Sequence, residues 1–169
     1  MLWQDKDITI SNSQIEYYTV HGAIGFMVSN DESARAIKQY NKNLIVISSI
    51  TRCICRNITK MDFSNFDYLV LYYPFNRALD CIKRLGYIKD KLILLVNSGC
   101  YVDCQAYKHW FCRGDFKIEK YCKRNSNPDK TIWIPPVHLS LFDDFVGGYK
   151  LLGREFQTER IKYEFVDYF

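Results

Sequence analysis

The sequence predicts an α/β fold with a mainly parallel sheet, and three observations lead to this prediction. Short apolar runs recur along the chain, at residues 24–28, 44–47, 68–71, 92–96, 131–134 and 149–152. Most of these runs lack polar alternation, as expected of strands that are covered on both faces. Helical patterns separate several of the runs, and such alternation favours parallel strands.

Each predicted helix has its own signal. Ser29 and Glu32 predict a capping box, followed by a helical face made of Ala34, Ile37 and Tyr40. Pro74 suits a first helical turn, and an apolar stripe then runs to Gly86 through Phe75, Ala78, Leu79, Ile82 and Leu85. Two further helices are predicted, one from Pro135 and Pro136 through Phe145 and one over Ile161, Phe165 and Tyr168.

The length and composition predict a single domain over residues 1–169, since 169 residues can bury a sizeable core and no linker divides them. Six predicted strands indicate either an open sheet or a partial barrel. The longest irregular stretch is a cysteine-rich loop at about 97–130. No apolar run is long enough to span a bilayer, and the first residues lack the features of a signal peptide, so we expect a cytoplasmic protein without a membrane partner.

The cysteine-rich loop is the strongest functional signal in the sequence. It follows the predicted strand at 92–96, and ligands collect at the carboxyl ends of parallel strands. Cys100, Cys104, Cys112 and Cys122 could ligate a [4Fe–4S] cluster, although their spacing is not that of a ferredoxin. Zinc is the first alternative, with His109 in the ligand set, and burial of the cysteines without any metal is the second. An odd total of seven cysteines in a reducing compartment argues against a disulfide framework.

The same loop is also basic. Between Gln105 and Lys130, seven basic residues outnumber three acidic ones, an excess that equals the net charge of +4 of the whole chain. Such a surface could face an anionic substrate or RNA, and an ordinary solvated surface is the alternative.

Several polar residues near predicted strand ends could bind a carboxylate or phosphate, or could instead cap helices. They are Asn76, Arg77, Asn97, Lys150 and Arg154. Cys53 and Cys55 would share a face if their segment is extended, and packing is the favoured interpretation for both. Packing is also predicted for Cys81, and structural roles are predicted for His21 and His138.

Four segments together resemble the peptidase U32-like family. They are Pro74-Phe-Asn-Arg77, Leu94-Leu-Val-Asn97-Ser-Gly-Cys100 with Cys104 and His109, Trp133-Ile-Pro-Pro136, and Tyr149-Lys-Leu-Leu-Gly-Arg154. The resemblance implies a (β/α)₈ TIM-type barrel, here partial or truncated. It also implies a [4Fe–4S] cluster and roles in hydroxylation, the peptidase name being historical. Asn97 and His109 would then support the cluster, and Asn76, Arg77 and Arg154 would bind substrate. Gln105 departs from the family pattern, in which a proline usually follows the second cysteine.

Two hypotheses follow from these observations. In the first, the chain is a U32-like barrel protein that binds a [4Fe–4S] cluster and supports oxidative modification or processing of a substrate. In the second, it is a non-enzymatic binding module with a structural zinc site or no metal, completed by a partner chain. Unpaired strand edges in a partial barrel predict a homo-oligomer or a partner subunit. Whether the chain is an enzyme stays open between the two hypotheses.

Overall fold

The computed structural model describes residues 8–52, 62–72, 75–97 and 133–151. The chain forms two compact units, Met1–Tyr72 and Tyr73–Phe169. Every strand pairing described within a unit is parallel. The prediction of an α/β fold with parallel strands is therefore confirmed.

The first unit alternates helices and strands. Its elements are α1 (Asn12–Val20), β1 (Gly25–Val28), α2 (Asp31–Tyr40), β2 (Ile45–Ser48), a 3₁₀ helix (Ile50–Arg52) and β3 (Tyr68–Val70). The strands lie in sequential order, with β1 beside β2 and β2 beside β3. Gly25 pairs with Ile45, and Ile47 pairs with Tyr68.

The core of this unit lies between its helices and its strands. The helices contribute buried side chains with helical spacing, and the strands contribute short apolar runs. The fully buried residues include Ile15, Ala34, Ile37, Val46, Leu69 and Val70. Three of the predicted strands, at 24–28, 44–47 and 68–71, thus correspond to β1, β2 and β3 within about one residue.

Neither helix of the first unit, α1 or α2, begins as the sequence analysis predicted. Helix α1 begins with a capping box in which Ser11 accepts from the backbone N–H of Gln14 while the Gln14 side chain accepts from the backbone N–H of Ser11. This helix was not predicted from the sequence. Helix α2 is capped by Asn30, whose side chain accepts from the backbone N–H of Ser33. The predicted capping box of Ser29 and Glu32 is therefore wrong by one residue.

One ion pair lies at the amino ends of β2 and β3. Nζ of Lys38 lies 2.7 Å from Oδ2 of Asp67 and also donates to the carbonyls of Lys42 and Leu44. The same carboxylate oxygen accepts from the backbone N–H of Val46 at 2.7 Å. Helix α2, β2 and the residue before β3 are joined through these bonds.

The second unit contains α3 (Leu79–Arg84), a 3₁₀ helix (Gly86–Lys91), β4 (Leu92–Leu95), a second 3₁₀ helix (Pro136–Leu141) and β5 (Gly148–Lys150). Strands β4 and β5 are parallel, and Ile93 pairs with Gly148. The core here is formed around β4 and α3. Its buried side chains include Ile82, Leu92, Leu94, Leu95, Val96, Ile134 and Phe142.

The entry to β5 needs a residue without a side chain. Gly147 donates its backbone N–H to the carbonyl of Leu92 at 2.8 Å, and a Cβ at this position would collide with the backbone of Asp90. Within β5, the hydroxyl of Tyr149 lies 2.9 Å from the carbonyl oxygen of Leu139 and 2.5 Å from Oδ1 of Asp143. Burial, together with the neighbouring carboxylate, raises the pKa of Tyr149 well above its ordinary value. The neutral hydroxyl therefore links β5 to the segment before it.

The second unit departs from the predictions at three places. Trp133 and Ile134, the described part of the predicted strand at 131–134, are not in a strand. Helix α3 begins at Leu79 rather than near Pro74, because residues 75–77 form a turn first. The helix predicted from Pro136 through Phe145 is a 3₁₀ helix that ends at Leu141. The helix predicted over Ile161, Phe165 and Tyr168 lies outside the described residues.

Candidate functional site

The carboxyl end of β4 is where the cysteine-rich loop begins. Val96 follows the strand, donates its backbone N–H to the carbonyl of Lys150 at 3.0 Å, and accepts from the N–H of Ile134 at 2.9 Å. Val96 and Ile134 are both buried. The described residues on either side of 98–132 thus meet at one buried point, which we call the loop stem (Leu95, Val96 and Ile134).

Asn76 adds a side-chain contact to the loop stem. Its side chain is fully buried, and Nδ2 donates a short hydrogen bond to the carbonyl of Leu95. Its other amide atom, Oδ1, is buried and has no hydrogen-bond partner among the described residues. A buried amide that is only half satisfied costs free energy.

The other predicted polar residues of this unit have different environments. Asn97 directly follows the loop stem and is buried, whereas Arg77 is exposed beside Asn76. Lys150 is half-buried in β5 and uses its backbone carbonyl on Val96. The structure thus brings Asn76 to the end of β4, where Asn97 follows the strand.

The predicted metal ligands lie outside the described residues. This holds for Cys100, Cys104, Cys112, Cys122 and His109, and also for Arg154, Cys53 and Cys55. Within the described part of the chain, no group of three His, Cys, Asp or Glu side chains is arranged to hold a metal ion. The binding of a [4Fe–4S] cluster by these cysteines therefore stays a prediction.

Three further residues for which the sequence predicts a packing or structural role lie within the described residues. Cys81 is half-buried in α3. His21 lies at the end of α1, where Nδ1 is 2.6 Å from the carbonyl oxygen of Tyr17 and the ring packs against the Tyr17 ring. His138 is exposed in the 3₁₀ helix after Pro135.

The first unit has a polar cluster that the sequence did not predict. Arg52 follows β2, its side chain is only 6% exposed, and Nη2 lies 2.5 Å from Oδ1 of Asp31. The guanidinium group lies 4.3 Å from the ring centroid of Phe66 and 5.7 Å from that of Phe63. We call Arg52, Asp31, Phe63 and Phe66 the arginine clamp.

The electrostatics of the arginine clamp are unfavourable for the cation. Burial lowers the pKa of Arg52, and Asp31 opposes that effect most strongly. Nη1 of Arg52 is buried without a hydrogen-bond partner in the described segments, and the same is true of Oγ of Ser29, which follows β1. Nη2 also donates to the carbonyl of Asp62 at 3.4 Å.

The sequence offered one weak signal for this cluster. Arg52 comes shortly after a strand, as functional and structural polar residues often do in parallel sheets. Its partners lie 21 residues before it, at Asp31, and 11 and 14 residues after it, at Phe63 and Phe66, so no local pattern joins them.

No family model matches the chain, and neither the curated proteins nor the solved structures contain a match. Among the described residues, no helix has both the length and the apolar character required to cross a membrane.

Proposed function

We propose that this chain is a U32-like protein with a partial (β/α) barrel that binds a [4Fe–4S] cluster through Cys100, Cys104, Cys112 and Cys122. The observation that carries the proposal is the position of the loop stem. Strand β4 is buried and parallel to β5, and the cysteine-rich segment departs from its carboxyl end. In parallel α/β proteins this end of a strand is where cofactors bind.

The loop stem supports a bound group in a second way. The segment between Asn97 and Trp133 is far longer than a usual connection, yet both of its ends are fixed at one buried point by the bond between Ile134 and Val96. Closing so long a loop costs conformational entropy, and metal–ligand bonds within the loop would offset part of that cost.

The order of the strands in the first unit fits the proposed fold. Strands β1, β2 and β3 follow one another as parallel neighbours. A (β/α) barrel has this order throughout, and the first half of a doubly wound sheet shares it.

The donor set fits an iron–sulfur cluster, since four thiolates can satisfy it and no other ligand is needed. A bound cluster would supply one-electron transfer. Asn97 and His109 would support the thiolates, while Arg77 and Arg154 would attract an anionic substrate through their guanidinium groups. The basic residues of the loop would favour the same charge.

Anaerobic purification followed by absorption spectroscopy and quantification of iron, sulfide and zinc tests the proposal. We expect about four iron and four sulfide per chain, and loss of most of this iron in Cys100→Ser and Cys104→Ser. Cys81→Ser is the matched control, because Cys81 lies in α3, away from the loop in sequence, and its replacement should leave the iron content unchanged.

Two outcomes would contradict the proposal. One equivalent of zinc, lost in the same two variants, would favour a binding module with a structural zinc site. Anaerobic protein with neither metal would leave the cysteines as packing residues.

A further inference from the structure

The arginine clamp lies where two parallel strands end and a helix begins. Strand β1 ends at Val28, helix α2 begins at Asp31, and Arg52 follows β2. Helix α2 has 10 residues, so its first turn carries the positive end of the helix dipole. The amino terminus of a helix that follows a parallel strand is a general binding position for phosphate and other oxyanions.

Several hydrogen-bond donors at this position have no acceptor. Nη1 of Arg52 and Oγ of Ser29 are buried without a partner among the described residues. The Asn30 side chain accepts from the third N–H of α2, which leaves the first two, those of Asp31 and Glu32, without an acceptor in the helix. Because every one of these groups can donate, the position suits a ligand that offers acceptor oxygens.

The guanidinium group of Arg52 is aimed at the amino terminus of α2. Its Nη2 lies 2.5 Å from Oδ1 of Asp31, the first residue of the helix, and the Arg52 side chain is only 6% exposed. The ring centroid of Phe66 lies 4.3 Å from Cζ of Arg52. A guanidinium group can bind an oxyanion through two parallel N–H bonds, but here the Asp31 carboxylate already takes one nitrogen.

The charges around Arg52 identify Asp31 as the group that competes with a ligand. Asp31, Asp62 and Glu32 are the acids that act on the Arg52 guanidinium, and Arg35 acts on Asp62. Glu32 and Asp62 are exposed, so solvent screens their charges. Asp31 alone among them contacts the guanidinium, and it is 46% exposed, so its side chain can rotate into solvent.

We propose that the arginine clamp is a phosphate-binding site that its own Asp31 holds closed. An incoming phosphate group would displace the Asp31 carboxylate and accept from both terminal nitrogens of Arg52, from the Ser29 hydroxyl and from the first N–H groups of α2. Phosphate is favoured over a carboxylate ligand because its larger number of oxygens matches the number of unused donors. The inference does not depend on the proposed function, since no cysteine takes part in it.

The test compares phosphate binding by the wild type with binding by variants that open or remove the site. ³¹P NMR titration of the full chain in low-salt buffer gives the Kd for inorganic phosphate and for ribose 5-phosphate. Each variant is used where circular dichroism shows it to be folded. We expect Asp31→Asn to bind phosphate about tenfold more tightly than the wild type, because the competing carboxylate is gone.

Three further variants assign that gain to the site. Glu32→Gln removes the same charge from the same helix turn without freeing Arg52, and should change the affinity by less than about twofold. Adding Arg52→Met to Asp31→Asn should remove the whole gain, and adding Ser29→Ala instead should weaken binding about threefold. Lys38→Met loosens the unit at the other strand ends and should not reproduce the gain.

The outcomes decide the inference in either direction. A gain in Glu32→Gln equal to that in Asp31→Asn would reduce it to a general charge effect, and a gain in Lys38→Met would reduce it to loosening; either result overturns the site. Binding that survives Arg52→Met would place the phosphate elsewhere in the chain and overturn it as well. If the gain behaves as expected, tighter binding of ribose 5-phosphate identifies a phosphate monoester as the ligand, and tighter binding of inorganic phosphate identifies the free ion.

Discussion

The first unit has two charged clusters, which differ in how far their hydrogen-bonding atoms find partners among the described residues. Before β2 and β3, Lys38 uses three acceptors, and Asp67 accepts from both Lys38 and the backbone of Val46. After β1 and β2, the arginine clamp leaves Nη1 of Arg52 without a hydrogen-bond partner among the described residues. Oγ of Ser29 is unsatisfied in the same way. Among the described residues of this unit, the buried side-chain atoms without a hydrogen-bond partner thus follow β1 and β2, and none precedes β2 or β3.

A difference in role between the two ends of the strands is general in parallel α/β proteins. Residues at the amino ends of strands mainly serve stability, whereas residues at the carboxyl ends serve binding and chemistry. Buried polar atoms without partners cost free energy, and proteins keep such costs mainly at functional positions. In the second unit, Oδ1 of Asn76 is likewise buried without a hydrogen-bond partner among the residues that the structure describes.

The largest effect should come from breaking the arginine clamp at Asp31. Asp31→Asn removes the carboxylate 2.5 Å from Arg52 and leaves a guanidinium that is 6% exposed without its ion-pair partner. We expect the free energy of unfolding to fall by about 1 to 3 kcal/mol, measured by urea denaturation. The expected loss of unfolding free energy is modest because Asp31 itself is 46% exposed.

Glu32→Gln is the matched control for Asp31. Both acids lie in the first turn of α2 and interact with the same helix dipole, but Glu32 is exposed and makes no ion pair with Arg52. The double variant Asp31→Asn with Arg52→Met should recover part of the loss, since no buried charge is then stranded. If Asp31→Asn costs no more than Glu32→Gln, the clamp does not stabilise the unit.

A smaller loss is expected at the satisfied cluster. Lys38→Met keeps the aliphatic stem but removes the ammonium group from Asp67 and from the two carbonyls it binds. The stranded carboxylate is 39% exposed and keeps its bond to Val46, so the cost should be about 1 kcal/mol in the same denaturation experiment. Lys42→Met, at an exposed lysine of the following turn, should change stability by less than about 0.5 kcal/mol. A loss at Lys38 larger than that at Asp31 would reverse the comparison.

Local patterns predicted the strands well and the long-range clusters poorly. The runs that became β1, β2, β3 and β4 are short, apolar and separated by polar segments, so the information lies within each run. The arginine clamp instead joins residues from three separate parts of the chain. Nothing in the residues beside Arg52 specifies Asp31 or Phe66 as its partners.

The predicted strand at 131–134 is wrong in its described part for a reason that the sequence contains. Ile134 donates its N–H to Val96, as a strand residue could, but Pro135 and Pro136 follow and have no N–H to donate. A ladder cannot continue through two such residues. Within the described part of this run, Ile134 is buried at the loop stem without being in a strand.

The strand that precedes the candidate site was predicted, whereas the predicted ligands lie outside the described residues. The sequence indicated that the cysteine-rich loop follows a buried strand, and β4 lies where that prediction needs it. The closure of the loop by Ile134 and the contact from Asn76 to Leu95 depend on backbone positions that residue types do not encode. The ligand set stays a prediction until the metal content is measured.

The smallest effect has the opposite sign and tests the comparison most directly. Oγ of Ser29 is buried without a partner in the described part of the chain, so Ser29→Ala should remove a desolvated hydroxyl at almost no loss of packing. We expect the free energy of unfolding to rise by about 0.5 kcal/mol. Ser33→Ala is the matched control, because Oγ of the buried Ser33 accepts from the backbone N–H of Ile10 at 3.0 Å. That variant strands a buried N–H and should lose about 1 kcal/mol. Two serines four residues apart would then change stability in opposite directions, because one hydroxyl is used and the other is not. A loss at Ser29 equal to that at Ser33 would show that the Ser29 hydroxyl is satisfied, and the contrast between the two strand ends would weaken accordingly.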